Sequence, residues 1–373
     1  MEFFNPVKLI LGRGVRSGIH EDCVGKNVLI ICTSSSLNRY KSDLALNPLF
    51  ENKGIKFEHG FESNPSLNDL VKISHKYHDK PIDLVIGLGG GSAMDVAKIA
   101  SVSIPALANG IELNQLLEDS DLCNSFEAIS CIQVPTTAGT GSEVTPFATV
   151  WDYDTQKKKS LSNSVMFAEK AYIDPDFLCV IPYNVAVSTG LDALNQAFES
   201  IWNVNATDIS KFYALRAAEL CLEFLPLLHK SSSEPHIRSA LAQASLYAGI
   251  GISQTRTSIC HSISYALTLR FGLNHGLACA FSMKEVFKFN QGHIKKELIS
   301  LEKNIGINPY LALKKVFDAL EIERAIKTTI TEPNNIVDMI DEMKTAGRFE
   351  NNIRVCDPSD LSSIVNKSIA RLN

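Results

Sequence analysis

The sequence predicts an α/β domain, with a parallel sheet covered on both faces by helices, followed by an all-helical domain. Three observations carry this. Short β-branched apolar runs alternate with polar, amphipathic stretches in the first half. After about Pro182 the texture changes to long Ala- and Leu-rich segments with helical periodicity. The chain has 373 residues, which at roughly 150 residues per domain gives room for about two.

The strands are expected at Asn27–Cys32 (NVLIIC), Ile55–Glu58, Ile82–Leu88 (IDLVIGL) and Ile129–Val134 (ISCIQV), with amphipathic stretches such as Ser66–His78 between them. Helices are expected over Val185–Trp202, Ile209–His229, Glu234–Ile250, Ser253–Leu269 and Leu277–Asn290, with a helix-to-helix break at Ser231–Pro235. The segment Asp174–Tyr183 (DPDFLCVIPY) carries two prolines and separates the textures. The expected domains are therefore 1–183 and 184–373.

Composition narrows the function. The chain is 45% hydrophobic and 21% charged, which excludes wholesale disorder. With Lys+Arg 36 against Asp+Glu 41 the net charge is −5. No net field attracts a polyanion, so neither nucleic acid nor a membrane surface is an expected partner, whereas a small anion stays open. The nine cysteines are scattered from Cys23 to Cys356 with no C-x-x-C. That argues against a zinc ribbon or a disulfide frame and suits a reducing cytoplasm. The N-terminus lacks the pattern of a secretory signal, and no run reaches the ~18 apolar residues of a membrane span.

Two loops carry ligand chemistry. In Leu84–Asp95 (LVIGLGGGSAMD) an apolar strand enters Gly89, Gly90, Gly91 and Ser92, and a helix over Ala93–Ala100 follows. Glycines admit close backbone N–H groups, and the helix N-terminus adds partial positive charge, which suits a pyrophosphate. The plainer reading is a turn that merely packs tightly. In Pro135–Thr145 (PTTAGTGSEVT) hydroxyls and glycines again follow a strand. A loop with Ser142 as a helix cap is the plainer reading there. Two polar loops at strand C-terminal ends match where ligands sit in open α/β sheets.

A third group lies in the helical half. Asp192 and Gln196 stand at i, i+4 on one helix face. His261 lies mid-helix among apolar residues, and His275 follows a helix stop at Gly272. An Asp and two His suit a divalent cation such as Zn²⁺ or Fe²⁺. Taken singly, each has a plainer reading as a solvated helix face or a hydrogen-bonded core histidine.

Across essentially its whole length the chain resembles the iron-containing alcohol dehydrogenase family. The resemblance rests on GGGSAMDVAK (89–98), PTTAGTGSEVT (135–145), AYIDPDFL (171–178), GLDAL (190–194) and the His261…His275-Gly276 spacing. It implies a Rossmann-like N-terminal domain, a helical C-terminal domain (a dehydroquinate synthase-like fold) and a metal between them. It also implies interconversion of alcohols and carbonyls with a nicotinamide cofactor, the metal polarising the carbonyl oxygen. Carried over, Gly89–Ser92 and Asp95 would hold the pyrophosphate region, with Thr136, Thr137, Thr140 and Ser142 lining the adenine and nicotinamide side. Lys159 would face nicotinamide or substrate. Asp192, His261 and His275 fall on three of four metal positions.

The chain departs from the family in three places. The fourth metal position, usually His, is Gln196, whose neutral oxygen should bind more weakly or contact substrate instead. A proton-relay His is replaced by Tyr265. The acidic residue that repels a 2′-phosphate is missing from Thr33-Ser34-Ser35-Ser36, and the Ser34 hydroxyl can donate there, so NADPH is expected over NADH. None of the nine cysteines falls on a family metal position. Within the family, VTPFATVWD (144–152), ESIWNVNA (199–206), SQTRTSICHSISYALT (253–268) and HGLACAF (275–281) are similar to the branch that reduces phosphonoacetaldehyde to 2-hydroxyethylphosphonate. A phosphonate needs cationic donors, and Arg256 is the candidate, with Lys159. A general short-chain alcohol dehydrogenase, a dehydroquinate synthase-like lyase and a catalytically impaired nucleotide-binding relic are the alternatives. The family also implies a homodimer pairing through the N-terminal strand, with Phe3–Leu11 as the apolar edge.

Overall fold

A computed structural model describes residues 3–61, 64–155, 157–229, 233–344 and 347–373. Ser231 and Ser232, in the expected helix break, lie outside the described residues. The chain forms two compact units. One comprises Asn5–Thr137 and Ser142–Phe177; the other comprises Leu178–Asn373, with Ala138–Gly141 and the N-terminal Phe3 and Phe4.

The first unit is the predicted α/β layer structure. Strands β1 (Lys8–Leu11), β2 (Val28–Ile31), β3 (Ile55–Glu58), β4 (Leu84–Gly89), β5 (Ser130–Pro135) and β8 (Lys170–Ile173) form one parallel sheet in the order β1-β8-β5-β4-β2-β3. Strands β6 (Phe147–Asp152) and β7 (Lys157–Ser162) form a separate antiparallel ribbon. The helices of this unit are α1 (Ile19–Asp22), α2 (Ser34–Tyr40), α3 (Asn47–Glu51), α4 (Leu67–Tyr77), α5 (Gly91–Ala108) and α6 (Leu113–Glu118). Alternation along β2 sends Leu29 and Ile31 to one core with Val85 and α5, and Val28 and Ile30 to another with Leu84, Ile86 and Tyr40. Burial on both faces is why these strands read as continuous apolar runs.

The second unit is helical: α7 (Tyr183–Ile201), α8 (Asp208–Phe224), α9 (Pro235–Thr255), α10 (Ile259–Phe271), α11 (His275–Asn290), α12 (Lys295–Ile305), α13 (Pro309–Ala319), α14 (Ile322–Thr329) and α15 (Pro358–Ala370). The expected helix over Ser253–Leu269 is corrected. Ser253–Thr255 end α9, Arg256 turns the chain at φ 64°, and α10 starts only at Ile259. His261 is thus in the first turn of α10 rather than mid-helix. None of the described helices is long and apolar enough to cross a membrane.

The two ligand-loop motifs are tied together by a buried ion. Lys98 of α5 is fully buried. Its Nζ donates to the carbonyl oxygens of Ser142 (3.0 Å), Thr145 (3.3 Å) and Phe147, and to Thr145 Oγ1 (3.1 Å). It also lies 3.4 Å from Asp95. A buried ammonium is tolerated only when so many acceptors surround it. Beside it, burial pushes the Glu143 carboxyl up to about 7, although Lys98 opposes the shift. The folded state therefore favours the protonated acid. Glu143 adds most to stability below the unfolded-chain pKa, and that contribution is lost as pH rises to about 7. Glu143→Gln should remove this slope and gain on wild type from about pH 5 to about pH 8, by on the order of a few kcal/mol. Urea denaturation over a pH series checks it; parallel curves for the two proteins would refute it.

Candidate metal centre and nucleotide loops

Three helices converge in the second unit, and each approach has a local cause. A Cβ at Gly276 would stand 1.7 Å from the Ser188 carbonyl oxygen. Only glycine lets the first turn of α11 lie this close to the α7 backbone. Ser188 and Asp192 are one turn apart on α7, and His275 Nε2 comes to 3.8 Å from Asp192 Oδ1. His261 Nε2 reaches the same oxygen at 3.2 Å. Asp192 and His261 are both only 3% exposed.

Glu199, two turns beyond Asp192 on α7, orients His261. Its buried carboxylate accepts from the backbone N–H groups of Ser258 (3.0 Å), Cys260 (2.6 Å) and His261 (3.2 Å). It thereby caps α10, whose own N-cap residue Ser258 makes no side-chain cap bond. His261 Nδ1 lies 2.5 Å from the same carboxylate. A proton held on Nδ1 by Glu199 leaves Nε2, on the Asp192 side, as the nitrogen a metal ion would take. Burial opposes charge on His261, yet Cys279, Glu199 and Asp192 hold its pKa well above the usual imidazole range.

Cys279, like Glu199, is a residue that sequence reasoning missed. It lies one turn after His275 on α11, and the donor atoms of Asp192, His261, His275 and Cys279 all lie within 4.8 Å of one another. Burial would raise the Cys279 thiol, but His261 and His275 bring it down to about 7. The i, i+4 spacing from His275 was the available signal. Cys279 is not part of a disulfide.

The other expected residues of this unit are placed as follows. Gln196 is buried; its Nε2 donates to Thr140 O at 3.3 Å, and its Oε1 accepts no hydrogen bond among the described residues. A spare, oriented, buried oxygen fits a ligand or metal contact. Tyr265 stacks on His275 with centroids 6.3 Å apart. Arg256 is half-buried, with φ 64° and ψ 178°. Burial and then the Arg348 charge lower its pKa to about 10.

In the α/β unit, β4 runs through Gly89 into α5, whose N-cap Gly90 supplies no side-chain bond. The first N–H groups of α5 therefore receive no cap from their own N-cap residue. A Cβ at Gly90 would come 3.1 Å from Thr137 Oγ1. Asp95 is committed to protein partners: it accepts from Ser142 Oγ at 2.5 Å and from the Thr149 N–H at 2.8 Å. Thr136 is buried and donates its N–H to Gly89 O. Both therefore fix the loops from inside, while Thr137 and Thr140 are half-buried. Thr33 caps α2 by accepting from Ser36 N, and Ser34 and Ser35 are exposed at this turn with no acidic residue. Lys159, on the ribbon, is paired with Asp152 at 2.9 Å, and this partner holds the Asp152 carboxyl down to about 2.

Residues 6–175 match the family described as iron-containing alcohol dehydrogenase, and residues 186–357 match the C-terminal part of the Fe-containing alcohol dehydrogenase family. A phosphonoacetaldehyde reductase from Streptomyces viridochromogenes is 31% identical over 76% of this chain and 75% of its own length. A 1-propanol dehydrogenase from Salmonella typhimurium is 29% identical over 76% of this chain and 73% of its own. The crystal structure of an iron-containing alcohol dehydrogenase from Thermotoga maritima superposes with a TM-score of 0.84, covering 99% of both chains at 26% identity. The chain belongs to the iron-containing alcohol dehydrogenase family. It is an oxidoreductase whose family uses a nicotinamide dinucleotide and a divalent metal.

Gly276→Ala tests the helix contact that builds the centre. The added methyl cannot coexist with Ser188 O, so α11 must retreat from α7. A loss of about 1–3 kcal/mol in stability and a weaker grip on divalent ions are expected. Thermal unfolding and chelator competition read the two effects; an unperturbed variant would contradict the close approach.

Proposed function

We propose that this protein is an NADPH-dependent reductase of a small anionic aldehyde, foremost phosphonoacetaldehyde, which it converts to 2-hydroxyethylphosphonate. The observation that carries the reaction class is the meeting of Asp192, His261 and His275 around one point. When bound, the metal supplies Lewis-acid polarisation of the carbonyl oxygen and the nicotinamide supplies the hydride. The chain's own residues do the rest. Asp192, His261 and His275 hold the ion, Glu199 fixes the His261 tautomer, and Gln196 Oε1 contributes a neutral oxygen. Tyr265 Oη delivers the proton to the product alcohol. Residues 1–183 serve as the nucleotide-binding domain and 184–373 as the metal and substrate domain. The glycine turn and the α5 N-terminus hold the pyrophosphate, and Ser34 and Ser35 receive the 2′-phosphate. The chain acts in the cytoplasm as a homodimer joined through the β1 edge, where Leu9 and Leu11 are exposed.

Arg256 supports the anionic substrate. It sits five residues before His261, in a backbone region that is essentially glycine-only and costs about 1–3 kcal/mol, with a second guanidinium, Arg348, nearby. A strained arginine beside another cation suits a dianion better than it suits packing. The similarity to the propanol dehydrogenase marks the alternative, a general short-chain alcohol dehydrogenase.

The test is steady-state reduction of phosphonoacetaldehyde, sulfoacetaldehyde and propanal by the metal-loaded protein with NADPH and with NADH. Preference for the anionic aldehydes and for NADPH is expected. Preference for propanal would establish the general enzyme, and inactivity on every aldehyde would sink the reductase reading.

Arg256→Gly separates strain from selectivity. The variant should be more stable by about 1 kcal/mol. Its kcat/KM for phosphonoacetaldehyde should fall by about 30- to 100-fold, the loss of a charge-assisted contact, with a much smaller fall for propanal. Equal losses on both aldehydes would remove Arg256 from the anion site.

A further inference from the structure

We propose that Cys279 is a metal ligand of this protein, its thiolate filling the donor position where Gln196 offers only a neutral oxygen. The inference rests on the proposed metal in the helical unit and names a donor beyond Asp192, His261 and His275.

Geometry comes first. Cys279 is buried, stands one helical turn after His275, and points its sulfur to 3.8 Å from His275 Nε2. His275 Nε2 and His261 Nε2 lie 3.8 Å and 3.2 Å from Asp192 Oδ1. Four donors about 2.0–2.3 Å from a common centre at tetrahedral angles are separated by about 3.3–3.8 Å. The three separations match three of the six edges of such a tetrahedron, and all four donor atoms lie within 4.8 Å of one another.

Charge gives a second reason. Among Asp192, His261, His275 and Gln196 only Asp192 brings a negative charge into contact with the ion, while Glu199 adds a second at one remove, behind His261. A thiolate places a further negative charge directly on a buried dication, where it counts most. It also brings the number of strong donors back to four. Softness follows as a consequence: one sulfur among nitrogen and oxygen donors moves preference toward zinc and away from hard, oxygen-seeking ions such as Mg²⁺ and Mn²⁺.

Cobalt reports the ligand without reference to catalysis. The full chain, stripped of metal and kept reduced, is titrated anaerobically with Co²⁺ while absorption and chelator competition are followed. One Co²⁺ per chain with a near-ultraviolet sulfur-to-cobalt charge-transfer band is expected. Cys279→Ser and Cys279→Ala should lose the band and bind Co²⁺ at least about tenfold more weakly, while Gln196→Ala keeps the band. Stoichiometric Co²⁺ without the band, or a band surviving in the Cys279 variants, overturns the proposal and leaves the metal reading standing. No Co²⁺ or Zn²⁺ binding by the wild type overturns both. Should the variants misfold, X-ray absorption of the zinc-loaded wild type decides: a Zn–S distance of about 2.3 Å supports the ligand, and a shell of nitrogen and oxygen alone refutes it.

Discussion

The helical unit depends on one carboxylate. Glu199 sits fully buried on α7, where an isolated charge would be prohibitive. Its stability comes from three backbone N–H groups at the start of α10 and the ring of His261. The same set of bonds ends the α9–α10 turn, supplies the cap that Ser258 does not, and selects the histidine tautomer. The turn itself is held from other sides, by Asn203 on the Arg256 carbonyl and Asn351 on the Thr257 carbonyl. Such over-determination is what allows a non-glycine residue to persist in so strained a conformation.

Around that anchor the helices approach through small residues. Gly251 of α9 meets Ser200 of α7, Gly141 meets the backbone at Gly249, and Gly276 meets Ser188. Close backbone approach leaves little slack, so the positions of Asp192, His261 and His275 follow from packing more than from hydrogen bonds among themselves. Preorganisation of this kind is what a metal site needs from its scaffold.

Much of the fold was legible. The runs at Val28–Ile31, Ile55–Glu58, Leu84–Gly89 and Ser130–Pro135 are buried on both faces or bounded by turn residues, and they stand where the sequence suggested. Strands β1 and β8 were not, because four-residue edge-side strands carrying Lys8 and Lys170 lack a clean period. The ribbon strand β7 begins KKKS, which reads as solvated chain. The start of α10 was hidden because apolar periodicity continues through 253–258, while the break is made by an arginine rather than by a glycine or proline. Glu199 was overlooked because a helical glutamate ordinarily faces water. Cys279 is hard to read because a lone cysteine in an apolar helix ordinarily packs as a small hydrophobe.

Lys98 carries a consequence of a different kind. Its amine is sealed beneath the Ser142–Phe147 segment, beyond the reach of any reagent while that segment stays closed. Surface lysines react with an acylating probe at a rate set by their own chemistry. Lys98 reacts only as often as the segment opens. The acylation rate of this one amine therefore times the opening of the Ser142–Phe147 segment.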